Sequence, residues 1–422
     1  MAEETQTLPH RLHATFISLR NPNFRIYFAT QALSNVGTWI QITAENWLIL
    51  QLTHSGWALG VTNALQFGPL VFFGLYGGVF ADRFDRRRLL IVSQSALAIV
   101  SAAIGLLVIT ESIRLWMIWL AALLFGLVIC IDRPALSSFI KDLVGEADLS
   151  NAVALNNTVI SLGRMVGPIV SGFLIAYFGM APSFFINTIS FAIVVAVLLL
   201  LDAARLHAPR PVQRKPRQVR EGLSYIRQDR VLRLTVIAMS VIFITAYNLQ
   251  VMVPLVASRM LGGSSELLGV LMSSLGLGAV TGSLIIASWV RPGLMMLAIC
   301  CGLLSIVHGW LSLPLGLYFS LAGMFLLGLC CGFFNVTVTS TLQVRARDDV
   351  RGRVMSTYSI GILGSALVGA PLAGTLADMI GVPETFLIIA AICAGTALAI
   401  TGASAKDKNR GVVQSADPVS EQ

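Results

Sequence analysis

Five polar side chains recur at helical spacing within an apolar stretch near the start of the chain: Gln31, Asn35, Thr38, Gln41 and Glu45. Their steps of four, three, three and four residues put all five on one face of an α-helix. Glu45 is the member that could do chemistry. If the stretch crosses a membrane, a carboxylate there costs about 2.5–3.5 kcal/mol on insertion scales, so it must face a bundle interior or a water-filled cavity. The chemistry open to it is proton uptake and release. The structural alternative is a carboxylate held by Asn46 or by a neighbouring helix.

A second group of charges lies in residues 74–91, GLYGGVFADRFDRRRLLI. Gly77 and Gly78 allow two helices to approach closely. Asp82 can act on a helix end, and Arg86, Arg87 and Arg88 hold the turn on the cytoplasmic side of a bilayer. Asp132 and Arg133 fall near the inner end of the fourth apolar stretch. In the fifth, Gly163, Gly167, Pro168 and Gly172 make a small-residue seam with one missing backbone donor. Arg164, beside that seam, is expected to be buried and could neutralise an anion. His308 could titrate near neutral pH, but packing is its simpler role.

These residues need spanning helices to position them, and the composition supplies the helices. The chain has 422 residues, 56% hydrophobic and only 12% charged. Soluble domains carry roughly 25% charged residues, so most of this surface faces lipid. A span takes about 20 apolar residues. Twelve stretches qualify: 24–52, 56–80, 88–110, 115–140, 151–178, 182–201, 232–257, 266–289, 293–313, 316–342, 352–379 and 383–403. With both termini cytoplasmic, 25 of the 29 Lys and Arg fall in inner segments, Arg114 and Arg259 fall outside, and Arg133 and Arg164 lie within spans. That asymmetry fixes the orientation and argues against a nucleic-acid surface.

The expected fold is an all-α integral membrane protein of twelve transmembrane helices in two pseudo-symmetric six-helix halves. Its parts are a cytoplasmic segment 1–23, the halves 24–202 and 232–403, a Pro- and Arg-rich linker 203–231 and a disordered tail 404–422. The linker is expected to hold a short amphipathic helix around 221–230. A shift of 202 residues lays Gly167 on Gly369, Gly172 on Gly374, Gly179 on Gly381 and Phe184 on Phe386. Such repetition suits a transporter whose halves rock about a midplane site. All six cysteines fall inside spans and are expected to pack rather than bridge or bind metal. The Asn156 sequon lies at the inner start of a span and is discounted. No phosphate-binding Gly-rich loop, nucleophile elbow or metal-ligand cluster is present, so neither ATP-driven transport by this chain alone nor catalysis is expected, and no cofactor.

Residues 78–88, GVFADRFDRRR, carry the pattern Gly-x-x-x-Asp-Arg-x-x-Arg-Arg, with Gly78, Asp82, Arg83, Arg86 and Arg87 in place and Asp85 where the pattern has a second glycine. Residues 163–172, GRMVGPIVSG, carry Gly-x-x-x-Gly-Pro-x-x-x-Gly. On these motifs the chain resembles the major facilitator superfamily. Segments 21–41, 46–60 and 131–168 narrow the resemblance to its bacterial branch of enterobactin exporters and macrolide efflux pumps, the transmembrane secretion effector type.

The resemblance implies that Arg86 pairs with Asp132. It places Asp82 at the start of helix 11, near residues 352–356, so that the loop latches the cytoplasmic side. The helix 5 seam would bend or seal during exchange. Helices 1, 4, 7 and 10 would line a cavity, with Asn35, Gln41, Glu45, Asn248, Gln250, Asn335 and Thr339 as polar liners and Trp39, Phe243 and Tyr247 as aromatic ones; apart from the resemblance, the placement of Arg164 makes it a candidate contact for an anionic substrate or for a carboxylate of the protein. The expected activity is export of a small amphipathic molecule, siderophore- or drug-like, by proton antiport through a monomer in the bacterial inner membrane. Alternatives are an importer or lysophospholipid flippase of the same fold, or a non-transporting sensor or assembly protein.

Overall fold

Asn21 opens the first long helix: its side-chain oxygen accepts the Phe24 N–H at 3.2 Å, and Pro22 takes the first helical position. Both features suit a helix start, where backbone donors lack partners. Asp85 and Asp229 do the same for two later helices, accepting the N–H groups of Arg88 at 2.8 Å and Leu232 at 3.0 Å. The computed structural model describes residues 16–202, 224–289, 292–348 and 350–414, but not the side chains of Leu75, Val79, Ala81, Asp82, Ser288, Trp289 and 405–414.

The described residues are helical, with no strand. Twelve long helices follow in order: α1 (Pro22–Thr53), α2 (Gly56–Arg83), α3 (Arg86–Ile109), α4 (Leu115–Val144), α5 (Leu149–Phe178), α6 (Ala181–Leu200), α7 (Arg230–Met260), α8 (Ser265–Trp289), α9 (Leu294–Leu311), α10 (Leu317–Arg345), α11 (Arg351–Ile380) and α12 (Val382–Gln414). Ten are long and apolar enough to cross a membrane; α1 and α2, at 32 and 28 residues, complete the set. Residues 224–228 are helical, while 203–223 of the expected linker lie outside the described residues. α12 runs on to Gln414, past the expected start of the tail at 404, and 415–422 lie outside the described residues.

Two helices are irregular. α7 breaks at Tyr247–Asn248 and ends in a π-helical turn, Val256–Met260. α11 contains a π-helical turn at Ser365–Gly369. The irregular parts face each other: Gly369 lies against the Ile244 carbonyl and the Asn248 amide.

The helices form two compact units. The first holds residues 1–54, 65–214 and 264–273, the second 55–64, 215–263 and 274–422. In the first unit α1 packs on α5 and α6, and α3 on α4 and α6. Phe24, Tyr27, Phe139, Leu143 and Leu198 build a buried core there, with the Tyr27 and Phe139 rings edge to face at 5.4 Å. Gly77 of α2 lies directly on the Cys130 carbonyl of α4. Pro134, four residues on, has no N–H to give that carbonyl. The absent side chain at 77 therefore admits a backbone that any Cβ would push away. In the second unit α9 packs on α10 and α12, and α7 on α11.

Candidate functional site

The polar stripe of α1 divides in the structure. Gln31 and Gln41 are buried, and Asn35 and Thr38 are half-buried. Gln41 was expected to line the cavity; instead its Oε1 accepts from Ser101 of α3 and from Asn187 Nδ2 of α6, the latter at 2.7 Å. It ties three helices of the first unit together. The correction has a plain cause: even spacing fixes a common face, not which neighbours that face meets. Glu45, one turn further along α1, is buried as well. Glu45 Oε1 has no hydrogen-bond partner, and no cation contacts the carboxylate among the described residues.

Arg86 donates to Asp142 at 2.5 Å rather than to Asp132, the partner expected. Both acids are on α4, and Asp142 lies ten residues nearer its C-terminus, about 15 Å along the axis, beside the start of α3. Asp132 is buried and satisfied by neutral donors, Ser93 Oγ at 2.5 Å and Gln94 Nε2 at 2.9 Å. Arg87 donates to the carbonyls of Leu198 at 2.6 Å and Leu199 at 2.9 Å, capping α6. Arg83 is exposed and Gly78 is buried. The side chain of Asp82 lies outside the described residues. Asp85, which the pattern would make a glycine, is the N-cap of α3 at φ −58°, a conformation that needs no glycine.

The helix 5 seam stays within a continuous α5. Cβ atoms at Gly163 and Gly167 would meet Asn35 and Trp39 of α1, and one at Gly172 would meet the Ser265 carbonyl at 2.8 Å. Arg164 is not buried as expected; it is exposed, with its guanidinium 5.0 Å from the centre of the Trp39 ring.

In the second unit Asn248 is buried in the α7 break, with its Nδ2 on the Ile244 carbonyl at 2.6 Å, so it fills a gap in the helix rather than a cavity wall. Gln250 is half-buried. Asn335 accepts from Tyr358, and Thr339 donates to the Asn335 carbonyl at 2.9 Å. Phe243 is buried against the rings of Tyr247, Phe334 and Tyr358, and Tyr247 donates to the Cys331 carbonyl at 2.7 Å. His308 is buried, with Nδ1 on the Leu304 carbonyl at 2.7 Å. All six cysteines are buried and free.

Sequence reasoning missed one cluster. Asp378, near the end of α11, accepts from the N–H groups of Gly56 at 2.8 Å and Trp57 at 2.9 Å, from Ser55 Oγ at 2.8 Å and from Arg259 at 2.6 Å. All belong to the second unit. The carboxylate therefore caps α2 and holds the π turn of α7 with one group. An acid in the last turn of a span was the available signal.

Twelve spanning helices, a buried carboxylate in α1 and a basic loop between α2 and α3 define a transporter of the major facilitator superfamily, a multi-pass membrane protein. The sequence matches the transmembrane secretion effector family over residues 13–419, and the chain belongs to that family. It is similar to the staphyloferrin A transporter of Staphylococcus aureus, 24% identical over 87% of this chain and 94% of the relative. It is also similar to the enterobactin exporter EntS of Escherichia coli, 25% identical over 85% of this chain and 86% of the relative. Among solved structures, a POT family transporter in complex with 5-aminolevulinic acid superposes with a TM-score of 0.74 at 11% identity, covering 92% of this chain and 96% of the other. The nucleoside transporter NupG gives 0.71 at 13% identity, covering 90% and 98%. At those identities the structural likeness concerns the fold.

Proposed function

We propose that this protein is a secondary exporter of the bacterial inner membrane, with both termini cytoplasmic. It moves a small amphipathic molecule, siderophore- or drug-like, outward in exchange for protons by alternating access as a monomer. One observation carries the reading: Glu45 is a buried carboxyl on a spanning helix with an oxygen that nothing donates to. An unpaired charge in that place is costly, and carrying a proton removes the cost. Loss of the proton then requires a wetter surrounding, which ties proton movement to a change of state. The siderophore transporters among the relatives support the cargo class. The helix 5 motif, through the family resemblance, supports outward direction.

The loop between α2 and α3 is the proposed gate latch. Arg86 on Asp142 and Arg87 on the end of α6 give it a fixed base within the first unit. Asp82 and Arg83 are its proposed working face; Gly78 is buried within α2, and Asp132 is buried on Ser93 and Gln94 of α3. Asn35, Gln250, Asn335 and Thr339 are the proposed polar contacts for cargo.

Everted vesicles test this directly. A siderophore, a macrolide and a lysophospholipid are offered with and without an inward-acid proton gradient. Gradient-dependent uptake of the siderophore or the macrolide is expected. Uptake only into right-side-out vesicles makes the protein an importer, movement of the lysophospholipid alone makes it a flippase, and uptake of none of the three overturns the exporter reading.

A further inference from the structure

A cavity of about 310 Å³ opens in the second unit, lined by Val231 of α7, Pro292 and Gly293 before α9, Leu294 of α9, Thr341, Val344 and Arg345 of α10, and Ser404 of α12. Its volume is at the lower end of the range for small-molecule sites. Four spans reach an end here. α7 begins at Arg230 and α9 at Leu294, α10 ends at Arg345, and the apolar part of α12 ends at Ser404. The cavity is therefore at the level of lipid headgroups.

Its wall is cationic. Asp229 takes the Nε of Arg345 at 3.2 Å, and the two terminal nitrogens of that guanidinium have no partner among the described residues. The Ser404 hydroxyl has none among them either. Arg230, next to Val231, donates Nη2 at 3.0 Å to the carbonyl of Ala403, next to Ser404, which sets a second guanidinium at the rim. Arg227 and Arg233, both exposed, stand one turn before and after it. The acid among them, Asp229, is already used twice, on the Leu232 N–H at 3.0 Å and on Arg345. The start of α9 in the same wall has no side-chain cap, and its end of the helix dipole is positive.

The flank of the cavity is apolar. Val344, in its wall, is 71% exposed. Met295, next to the lining Leu294, begins a ridge of exposed apolar side chains on one face of α9, continued by Ile299 and Ile306. In a multi-pass membrane protein such a ridge meets acyl chains. A soluble anion has no use for it, whereas a phospholipid presents a charged phosphate and an apolar chain side by side. Basic recesses between spans suit anionic headgroups for this reason. We infer that the cavity binds the phosphodiester headgroup of an anionic phospholipid. Arg345 and Ser404 hold the phosphate, Arg230 adds charge at the rim, and the chains run past Val344 and Met295. The inference needs only a membrane protein; the direction and cargo of transport do not enter it.

The test uses the full chain in phosphatidylcholine nanodiscs. With every native cysteine buried, a fluorophore is attached at Val344→Cys and quenched by nitroxide-labelled phosphatidylglycerol or, as the matched control, nitroxide-labelled phosphatidylcholine. The anionic lipid should quench about fivefold more strongly at equal dose, the worth of one arginine at such a surface. Arg345→Gln and Ser404→Ala should each remove most of that preference, and Arg345→Lys should restore part of it. Asp229→Asn breaks the same ion pair but keeps a capping side chain, so it should raise the preference. Glycerol 3-phosphate in solution should change nothing. Equal quenching by the two lipids, or a preference that survives Arg345→Gln, overturns the site. A preference lost in Asp229→Asn as well makes Arg345 a strut between α7 and α10 and overturns it too. Displacement by glycerol 3-phosphate makes the ligand a free phosphate and overturns the lipid assignment.

Discussion

Arg86 donates to Asp142 at 2.5 Å, and both side chains are largely shielded from solvent, at 15% and 12% exposed. The pair fastens the start of α3 to the end of α4. Removing one partner leaves a shielded charge without its counter-charge, which costs more than the pair itself contributes. Arg86→Ala and Asp142→Ala should each lower stability by about 2 kcal/mol. In a double-mutant cycle on the purified protein the two should be strongly non-additive, whereas Arg86→Ala and Asp132→Asn should add. Coupling of Arg86 to Asp132 instead would restore the pairing that the resemblance implies.

Gly77 and Gly302 make a matched pair. A methyl at 77 would run into the Cys130 carbonyl, whereas at 302 nothing lies within 4 Å. Gly77→Ala is expected to destabilise by about 1–3 kcal/mol through forced separation of α2 and α4. Gly302→Ala should stabilise by up to about 1 kcal/mol, from helix propensity alone. Unfolding midpoints in detergent read both, and a neutral Gly77→Ala would contradict the packing described.

Gln41 is predicted to be a structural residue. Gln41→Leu strands the Asn187 amide and takes one acceptor from the Ser101 hydroxyl. A loss of about 1–3 kcal/mol is expected. Binding of cargo by protein that remains folded should change little. A variant as stable as the parent but unable to bind would return Gln41 to the cavity wall.

Asp378 holds Ser55, Gly56 and Trp57 at the start of α2. Asp378→Ala should free that end. With every native cysteine buried, a single Ser55→Cys probe can be labelled by maleimide over a low background. Labelling should be several-fold faster in the Asp378→Ala background, and equal rates would mean that the contact does not restrain the helix.

The twelve helices were legible because long apolar runs admit little else; their caps, Asn21, Asp85 and Asp229, emerge only in the structure. Directions were harder. The stripe from Gln31 to Glu45 is a single face in sequence, yet Gln41 is satisfied by Ser101 and Asn187, residues 60 and 146 positions away. Neither residue announces such a partnership. The partner of Arg86 was ambiguous because α4 carries two acids. The break in α7 at Tyr247–Asn248 has neither glycine nor proline; the proline of that helix is Pro254, beyond it. Arg164, expected to be buried, is exposed with its guanidinium over the Trp39 ring of α1, a contact that spacing along α5 does not foretell.

Glu45→Gln tests the central claim most directly. Glutamine keeps the shape and a hydrogen-bonding amide but carries no exchangeable charge. In everted vesicles, the account predicts that uptake driven by a proton gradient falls at least tenfold in this variant, while counterflow exchange of cargo without a gradient persists. Full retention of gradient-driven uptake by Glu45→Gln would contradict it.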